Sequence, residues 1–199
     1  MKNCGKNEKK KIVICISGMT GSGKSSVAKR LAEKYEFSYF SGGDALRILA
    51  QEEGYDSDVR GWWESSEGLN FLKQRLSDSA FDKKIDEKLL ELAVEGNIVL
   101  DSWTIPWLLK EGFKVWLDAS SQVRAKRVVT RDNICFKEAL KALTEKDERT
   151  RQIYKSLYGF DLGHDFTPFN LVLSTDELDP DDVFYAVALV TDKLIFCKT

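Results

Sequence analysis

The sequence is poor in the residues that build zinc sites and disulfide frameworks. It contains one histidine, three prolines and four cysteines among 199 residues. The cysteines, which are Cys4, Cys15, Cys135 and Cys197, are far apart and form no CxxC pair, so the usual zinc-binding spacings are absent. Nothing in their placement indicates a disulfide framework. We therefore expect reduced thiols and a protein of a reducing compartment, the cytoplasm.

Long apolar stretches and a strong excess of one charge are also missing. The first apolar run, residues 12–16, follows a lysine-rich leader and is too short for a signal-peptide core or a membrane span. The net charge of −2 argues against a surface built to hold a nucleic-acid polymer. We expect a monomer that has no membrane or nucleic-acid partner.

What the sequence does contain is an alternation of short β-branched runs with helical stretches. The first run is continuous, which is typical of a parallel strand buried on both faces. Residues 44–95 show helical periodicity throughout, and further helices are predicted at 121–130, at 136–155 and after Pro180. The predicted strands are 11–17, 37–40, 98–101, 113–118 and 170–174. This order predicts one α/β domain, a three-layer α/β/α core around a five-stranded parallel sheet.

A phosphate-binding motif lies between the first strand and the first helix. Residues 18–25 read Gly-Met-Thr-Gly-Ser-Gly-Lys-Ser and match G-x-x-x-x-G-K-[ST] in full. Glycines let successive backbone N–H groups point at a phosphate, and the helix adds its positive end. Lys24 would reach the β and γ oxygens of ATP, and Ser25 would ligate Mg²⁺, the predicted cofactor. The predicted ATP-binding residues of this loop are Gly18, Met19, Thr20, Gly21, Ser22, Gly23, Lys24, Ser25 and Ser26.

Features of nucleotide hydrolases are absent. The N-K-x-D stretch of GTPases does not occur, no D-x-x-G switch follows a predicted strand, and Asp101 is followed by Ser102 rather than by a water-aligning glutamate. Transfer of a phosphoryl group to a small acceptor is therefore the leading class of reaction. Such a reaction depends on arginines and Mg²⁺ for electrostatic stabilisation.

Cationic residues are concentrated where such stabilisation would be needed. Residues 122–155 hold ten Lys or Arg against five Asp or Glu in an acidic protein. An acceptor phosphate is already largely dianionic at neutral pH, so it needs no general base but several guanidinium groups. The candidate arginines are Arg47, Arg127, Arg131, Arg149 and Arg151.

Four further stretches carry a resemblance to one enzyme family. Residues 39–47, Tyr-Phe-Ser-Gly-Gly-Asp-Ala-Leu-Arg, resemble the S-x-G-D-x-x-R segment of adenylate and archaeal-type cytidylate kinases. Residues 113–127 are similar to the K-[IV]-x-L-x-A-x-x-x-x-R-x-x-R pattern of cytidylate kinases. Residues 141–151 resemble their mobile lid, and residues 158–162, Tyr-Gly-Phe-Asp-Leu, resemble the Y-G-I-D-[IL] of archaeal-type members. Between residues 11 and 195 the chain thus resembles nucleoside monophosphate kinases, and among them archaeal-type cytidylate kinases.

The resemblance implies a P-loop kinase with a helical insertion for the nucleoside monophosphate (NMP) and a small lid. The implied core is 11–41, 97–130 and 165–199, with the NMP-binding insertion at 42–96 and the lid at 131–164. Ser41, Asp44 and Arg47 would bind the acceptor, and Asp101 would hold Mg²⁺ through water. Arg127 would lie beside the ATP base. The implied catalytic cations are Lys24, Arg131, Arg149 and Arg151.

Two tryptophans extend the acceptor set on the basis of position. Trp63, next to Trp62, could stack on a nucleobase, since an aromatic face accepts any base, and one of the two tryptophans is expected to be core. Trp103 follows Asp101 and could form the floor of the acceptor pocket.

The chain departs from the family pattern near the acceptor. Ser102-Trp103 stands where relatives carry Gly and Arg, and Lys146 and Ile153 replace lid arginines. CMP is the favoured acceptor, with dCMP beside it and UMP or AMP open. Two other readings stay open: a kinase for an alcohol such as shikimate, with Asp44 as general base, and a nucleotide-gated module without catalysis.

Overall fold

The chain is described by a computed structural model that covers residues 11–78 and 80–196. The predictions for Cys4 and Cys197, and for most of the lysine-rich leader, lie outside these residues.

A parallel five-stranded sheet forms the centre of the fold. Its strands follow one another in space in the order β2-β3-β1-β4-β5, and every neighbouring pair is parallel. The strands are β1 Val13–Ser17, β2 Ser38–Ser41, β3 Ile98–Asp101, β4 Phe113–Asp118 and β5 Leu171–Ser174. The predicted α/β class and the five-stranded parallel sheet are confirmed.

Eight α-helices accompany the strands in the described residues. They are α1 Lys24–Tyr35, α2 Gly42–Glu52, α3 Ser66–Ser77, α4 Ala80–Glu95, α5 Ile105–Leu108, α6 Ser121–Asp132, α7 Phe136–Tyr158 and α8 Pro180–Thr191. None of them, within the part of the chain described, is long and apolar enough to cross a membrane.

The central strand explains the three layers. All five residues of β1 are buried, because alternate side chains enter two different cores. Ile14 and Ile16 pack on one face against α1 and α8, while Val13 and Cys15 pack on the other against α2 and α4. A continuous apolar run is therefore what this position requires.

The segment between β2 and β3 is less regular than its periodicity predicts. The prediction of helix throughout 44–95 is wrong between α2 and α3, where the chain turns at Gly54 and Gly61, both with positive φ. Trp62–Glu64 forms a short 3₁₀ turn there. Trp62 lies in a small core with Ala50 and Phe71, as expected for one of the tryptophan pair. This core, rather than one long helix, satisfies the apolar periodicity.

Helix α7 is continuous over 23 residues. Its residues Ala139 and Leu143 pack on Ala125 and Val128 of α6, and only residues 133–135 separate the two helices. In the structure, most of the predicted lid region is therefore one long helix that packs on α6. That this region is a small mobile lid stays a prediction.

Candidate active site

A cleft of about 840 Å³ opens at the carboxyl ends of β1, β2 and β3. This is where open α/β sheets bind ligands, since crossovers leave a crevice there. The glycine-rich loop after β1 forms one wall, and the start of α2 forms another. Residues 20–26 and the predicted acceptor residues thus face one cavity, whereas Gly18 and Met19 do not line it and Met19 is buried in an apolar cluster.

The glycine-rich loop passes very close to β4. Gly18 has a φ of 147°, and a Cβ atom there would lie 2.3 Å from the Leu117 carbonyl oxygen. Gly23, at φ 98°, caps α1 without a side chain. The α1 N-terminus is therefore open toward the cleft, and its N–H groups and helix dipole favour an anion.

Lys24 lies half-buried at the foot of this loop. Its Nζ donates to the Met19 carbonyl at 3.1 Å and lies 5.7 Å from the centre of the Trp103 ring. Burial lowers the pKa of Lys24 to about 8, an effect that Asp101 opposes. An arriving polyphosphate would favour the charged ammonium and restore an ordinary pKa.

Trp103 touches the glycine-rich loop. Its indole Nε1 donates to the Gly18 carbonyl at 2.9 Å, and its ring faces Lys24. Trp103 lines the cleft, so the acceptor role predicted for it stays a prediction, but its polar contact is with the ATP side.

Ser25 and Asp101 meet directly. The Ser25 hydroxyl donates to Asp101 Oδ2 at 2.6 Å, because Asp101 ends β3 beside β1. Burial raises the pKa of Asp101, while Lys24 and the Ser25 hydrogen bond oppose the rise. A hydroxyl and a buried carboxylate are hard oxygen donors of the kind that Mg²⁺ binds, and a cation would offset the burial of the charge. The donor set therefore fits magnesium.

Two arginines of α6 brace the loop from behind. Arg124 forms a buried pair with Asp147 of α7, at 2.7 Å between Nη2 and Oδ2, and donates to the Thr20 carbonyl at 3.0 Å. Arg127 donates to the Thr175 carbonyl at 2.6 Å and to the Ser22 carbonyl at 3.3 Å. Bracing of this kind holds the loop ready for a ligand.

One end of the cleft is apolar. Arg127 lies there together with three side chains that the sequence analysis did not assign: Leu178, Pro180 and Val183. Apolar side chains and a guanidinium are groups that a purine ring can contact, but the ATP-base position predicted for Arg127 stays a prediction.

The predicted acceptor residues lie around the start of α2 and the 3₁₀ turn. The Ser41 hydroxyl caps α2 by accepting from the Asp44 N–H at 3.1 Å. Asp44 is exposed and Arg47 is half-buried, and both line the cleft together with Ser41 and Trp63. All four predicted acceptor residues other than Trp103 thus line the same cleft as the glycine-rich loop.

Glu64 joins the acceptor side to α6 and α7. Its side chain is 2% exposed and accepts from Arg131 Nη2 at 3.1 Å and from Lys146 Nζ at 3.4 Å. The Lys146 ammonium also lies 4.8 Å from the centre of the Trp63 ring. Burial lowers the pKa of Lys146, while Glu64 opposes that change. Two cations of the cleft are therefore held by a carboxylate.

Arg149 and Arg151 do not line the cleft. Arg149 donates to the Leu69 carbonyl at 3.0 Å and pairs with Glu145, and Arg151 donates to the Leu162 carbonyl at 3.2 Å. The structure brings Lys24, Arg131 and Lys146 to the cleft but not these two arginines. A family pattern gives positions along α7 but not which side chain faces inward.

Two buried aspartates of α4 also reach the cleft wall. Asp82 is paired with Arg75 and accepts from the Tyr154 hydroxyl at 2.9 Å. Asp86, one turn later, accepts from the hydroxyls of Thr104 and Tyr158. The sequence contained a signal for both: they lie on the same apolar helix face as Ile85 and Leu89, where a carboxylate is costly.

Comparison with known proteins identifies similar chains over most of the length. A profile described as the cytidylate kinase-like family matches residues 13–177. A cytidylate kinase of Pyrococcus horikoshii is 32% identical over 187 residues, which are 94% of this chain and 91% of that protein. A cytidylate kinase of Sulfurisphaera tokodaii is 37% identical over 175 residues, 86% of this chain and 91% of that protein.

Solved structures agree on the fold. A shikimate kinase from Bacteroides thetaiotaomicron superimposes with a TM-score of 0.55 at 16% identity and covers 92% of this chain and 98% of its own. At that identity the likeness concerns the fold alone.

Proposed function

The chain belongs to the cytidylate kinase-like family, and from that premise we propose that it transfers the γ-phosphate of ATP to the phosphate of CMP or dCMP. The products are ADP and CDP or dCDP. The observation that carries the proposal is a single cleft lined both by the glycine-rich loop with Lys24 and by Ser41, Asp44 and Arg47. Donor and acceptor phosphates must share one cavity for direct transfer.

The chemistry requires little proton movement. An oxygen of the acceptor phosphate attacks the γ-phosphorus, and the bond from that phosphorus to the β–γ bridging oxygen breaks. Because the acceptor is a dianion near neutral pH, no side chain has to remove a proton. Catalysis then consists of holding two mutually repelling phosphates and stabilising the charge on the transferring oxygens.

The residues divide into roles by their place in the cleft. Lys24 and the N–H groups of the loop bind the β- and γ-phosphates. Arg127 and the apolar wall beside it hold the ATP base, whereas Arg47 binds the acceptor phosphate. Ser25 and, through water, Asp101 would hold Mg²⁺, which neutralises phosphate charge when bound.

Closure of the cleft completes the proposal. The insertion 42–96 and the segment 131–164 are in contact through the ion pairs of Glu64 with Arg131 and Lys146. Movement of one segment would therefore shift the other. We assign Arg131 to the transferring group and leave to Arg149 and Arg151 the predicted catalytic role, which requires a shift of α7. Closure would also exclude water.

A panel of acceptors tests the function. Release of ADP from Mg-ATP is followed with CMP, dCMP, UMP, AMP, GMP and shikimate at matched concentrations. We expect turnover led by CMP or dCMP. Turnover of shikimate with every nucleotide silent would instead make Asp44 a general base, and ATP binding without any transfer would indicate a regulatory module.

Oligomeric state, cellular location and nucleic-acid binding are predicted separately from this panel of acceptors. A monomer is expected, which sedimentation or light scattering measures directly. A cytoplasmic location and the lack of a nucleic-acid partner likewise stay predictions, to be checked by fractionation and by a binding titration with single-stranded RNA.

A further inference from the structure

Asp86 is a buried carboxylate in the cleft wall that pairs with no lysine or arginine among the described residues. Asp86 is only 5% exposed, and it is one of the residues that line the cleft. Burial raises the pKa of this carboxyl to about 6, although hydrogen bonds from Thr104 and Tyr158 oppose the rise. A carboxylate held in this way is destabilising for the fold, which marks it as a candidate for function.

The neighbouring aspartate shows what a structural carboxylate looks like here. Asp82 has both oxygens bonded to Arg75 and one also to Tyr154, so its charge is balanced inside the protein. Asp86 has only hydroxyl donors, the Tyr158 hydroxyl on Oδ2 at 2.7 Å and the Thr104 hydroxyl on Oδ1. Each carboxylate oxygen accepts two hydrogen bonds, so Asp86 keeps acceptor capacity.

The two hydroxyls fix the direction of the Asp86 carboxylate. Thr104 comes three residues after Asp101, and Tyr158 ends α7, so the carboxylate is held from two sides of the cleft wall. The same helix touches the acceptor side: a Cβ on Gly42 would lie 3.4 Å from Leu89 and 3.7 Å from Ile85. Asp86 is thus fixed beside the start of α2, where the acceptor set begins.

A carboxylate at this place distinguishes the two common pyrimidines. Cytosine carries an amino group at position 4, a donor that a carboxylate accepts, whereas uracil carries an oxygen there, which is an acceptor. Carboxylate and carbonyl oxygens repel each other when water is excluded, so one group both attracts cytosine and rejects uracil.

We propose that Asp86, which accepts hydrogen bonds from Thr104 and Tyr158, is the residue that selects a 4-aminopyrimidine in the acceptor nucleotide by accepting a hydrogen bond from its amino group. The inference rests on the proposed function and adds the residue that sets its specificity. It accounts for a carboxylate that the transfer chemistry itself does not use.

The first test leaves the protein unchanged. Wild-type enzyme at pH 8, where Asp86 is ionised, is assayed with CMP and with the CMP analogue whose base is 2-pyrimidinone and lacks the amino group. We expect kcat/KM to be at least about tenfold lower for the analogue, since one such contact discriminates by this much or more. Equal kcat/KM for the two acceptors would overturn the inference.

The second test uses Asp86→Asn, whose amide can donate to uracil. The ratio of kcat/KM for CMP to that for UMP should fall about tenfold or more, with the KM for ATP unchanged. Glu91→Gln on the exposed surface of the same helix is the matched control, because it removes a carboxylate that does not line the cleft, so the ratio should stay high. A folded Asp86→Asn enzyme with the wild-type ratio would contradict the inference, and if this variant fails to fold the analogue decides.

These outcomes are distinct from failure of the function itself. A wild-type enzyme that phosphorylates neither CMP nor UMP refutes the proposed function. One that phosphorylates CMP, but ignores both the amino group and the Asp86 substitution, refutes only the role of Asp86.

Discussion

Lys24 lies between the Trp103 ring and Asp101, and in the ligand-free protein its ammonium donates to a backbone carbonyl. Its pKa of about 8 reflects burial that a bound triphosphate would offset. At pH 8 about half of the free enzyme carries the proton, whereas the complex carries nearly all of it. Binding of Mg-ATP at pH 8 should therefore take up about half a proton.

Calorimetry in two buffers of different ionisation enthalpy measures this uptake. Lys24→Arg is the control, because a guanidinium is charged at any accessible pH and has no proton to gain. Equal uptake in the wild type and the variant would show that another group titrates.

Substitution of Arg47 should distinguish binding of the acceptor from binding of ATP. Arg47 is half-buried in α2 and makes no hydrogen bond to the glycine-rich loop in the described residues, so Arg47→Ala should raise the KM for the acceptor about tenfold or more and leave the KM for ATP within about twofold. Initial rates with one substrate varied at a time check this. Equal effects on both constants would argue against its assigned place.

Among individual site residues, those that belong to one contiguous motif can be assigned from the sequence. The glycine-rich loop could be assigned because its spacing is fixed by phosphate geometry. Arg149 and Arg151 could not be placed, because the face of α7 that meets the cleft depends on packing with α3 and α6. Asp86 was missed because its partners, Thr104 and Tyr158, are far from it in sequence.

The 3₁₀ turn Trp62–Glu64 ties the insertion to α6 and α7 through one carboxylate. Glu64 is buried with Lys146, whose side chain is 6% exposed, so loss of the charge leaves an uncompensated buried ammonium. Glu64→Gln should lower the free energy of unfolding by about 2–4 kcal/mol, measured by urea denaturation.

An exposed ion pair supplies the control for Glu64. Glu91 pairs with Lys88 on the surface of α4, and its side chain is 70% exposed. Glu91→Gln should change the free energy of unfolding by no more than about 0.5 kcal/mol. Similar losses for both variants would mean that the Glu64 contacts contribute only as surface charges do.

Strands were predictable because each is a short apolar run that interrupts the helical periodicity, and each was found within two residues of its predicted bounds. The three central strands are buried and form nearly continuous apolar runs, whereas β2 and β5 at the edges are only partly buried. The division of 44–95 into separate segments was not predictable from periodicity. There the apolar residues belong to two cores, one under α2 and α4 and one around Trp62. The end of the helical stretch between them is visible only in the positive φ angles of the glycines.

The free energy of unfolding of the whole molecule should depend on pH in part because of Asp86. Its pKa is raised from 3.8 to about 6 in the folded state, so the native protein binds a proton before the unfolded chain does. Stability attributable to this group therefore rises as the pH falls through 6 toward 4. Between pH 7.5 and pH 5 the wild type should gain about 1 kcal/mol relative to Asp86→Asn.

Urea denaturation of both proteins across this pH range measures the difference. Because Asp86→Asn retains every other titrating group, the comparison isolates one carboxyl. A difference that is constant with pH, or that moves in the opposite direction, would show that Asp86 is already ionised without cost in the folded protein.

The central claim concerns the product of the whole molecule: phosphoryl transfer to CMP by the loop that contains Lys24. The most direct measurement follows CMP and ATP by anion-exchange chromatography and quantifies CDP and ADP together. We expect CDP and ADP in equal amounts, and a fall of orders of magnitude in rate for a folded Lys24→Ala variant. ADP without CDP, or CDP formed at the wild-type rate by the variant, would contradict the account.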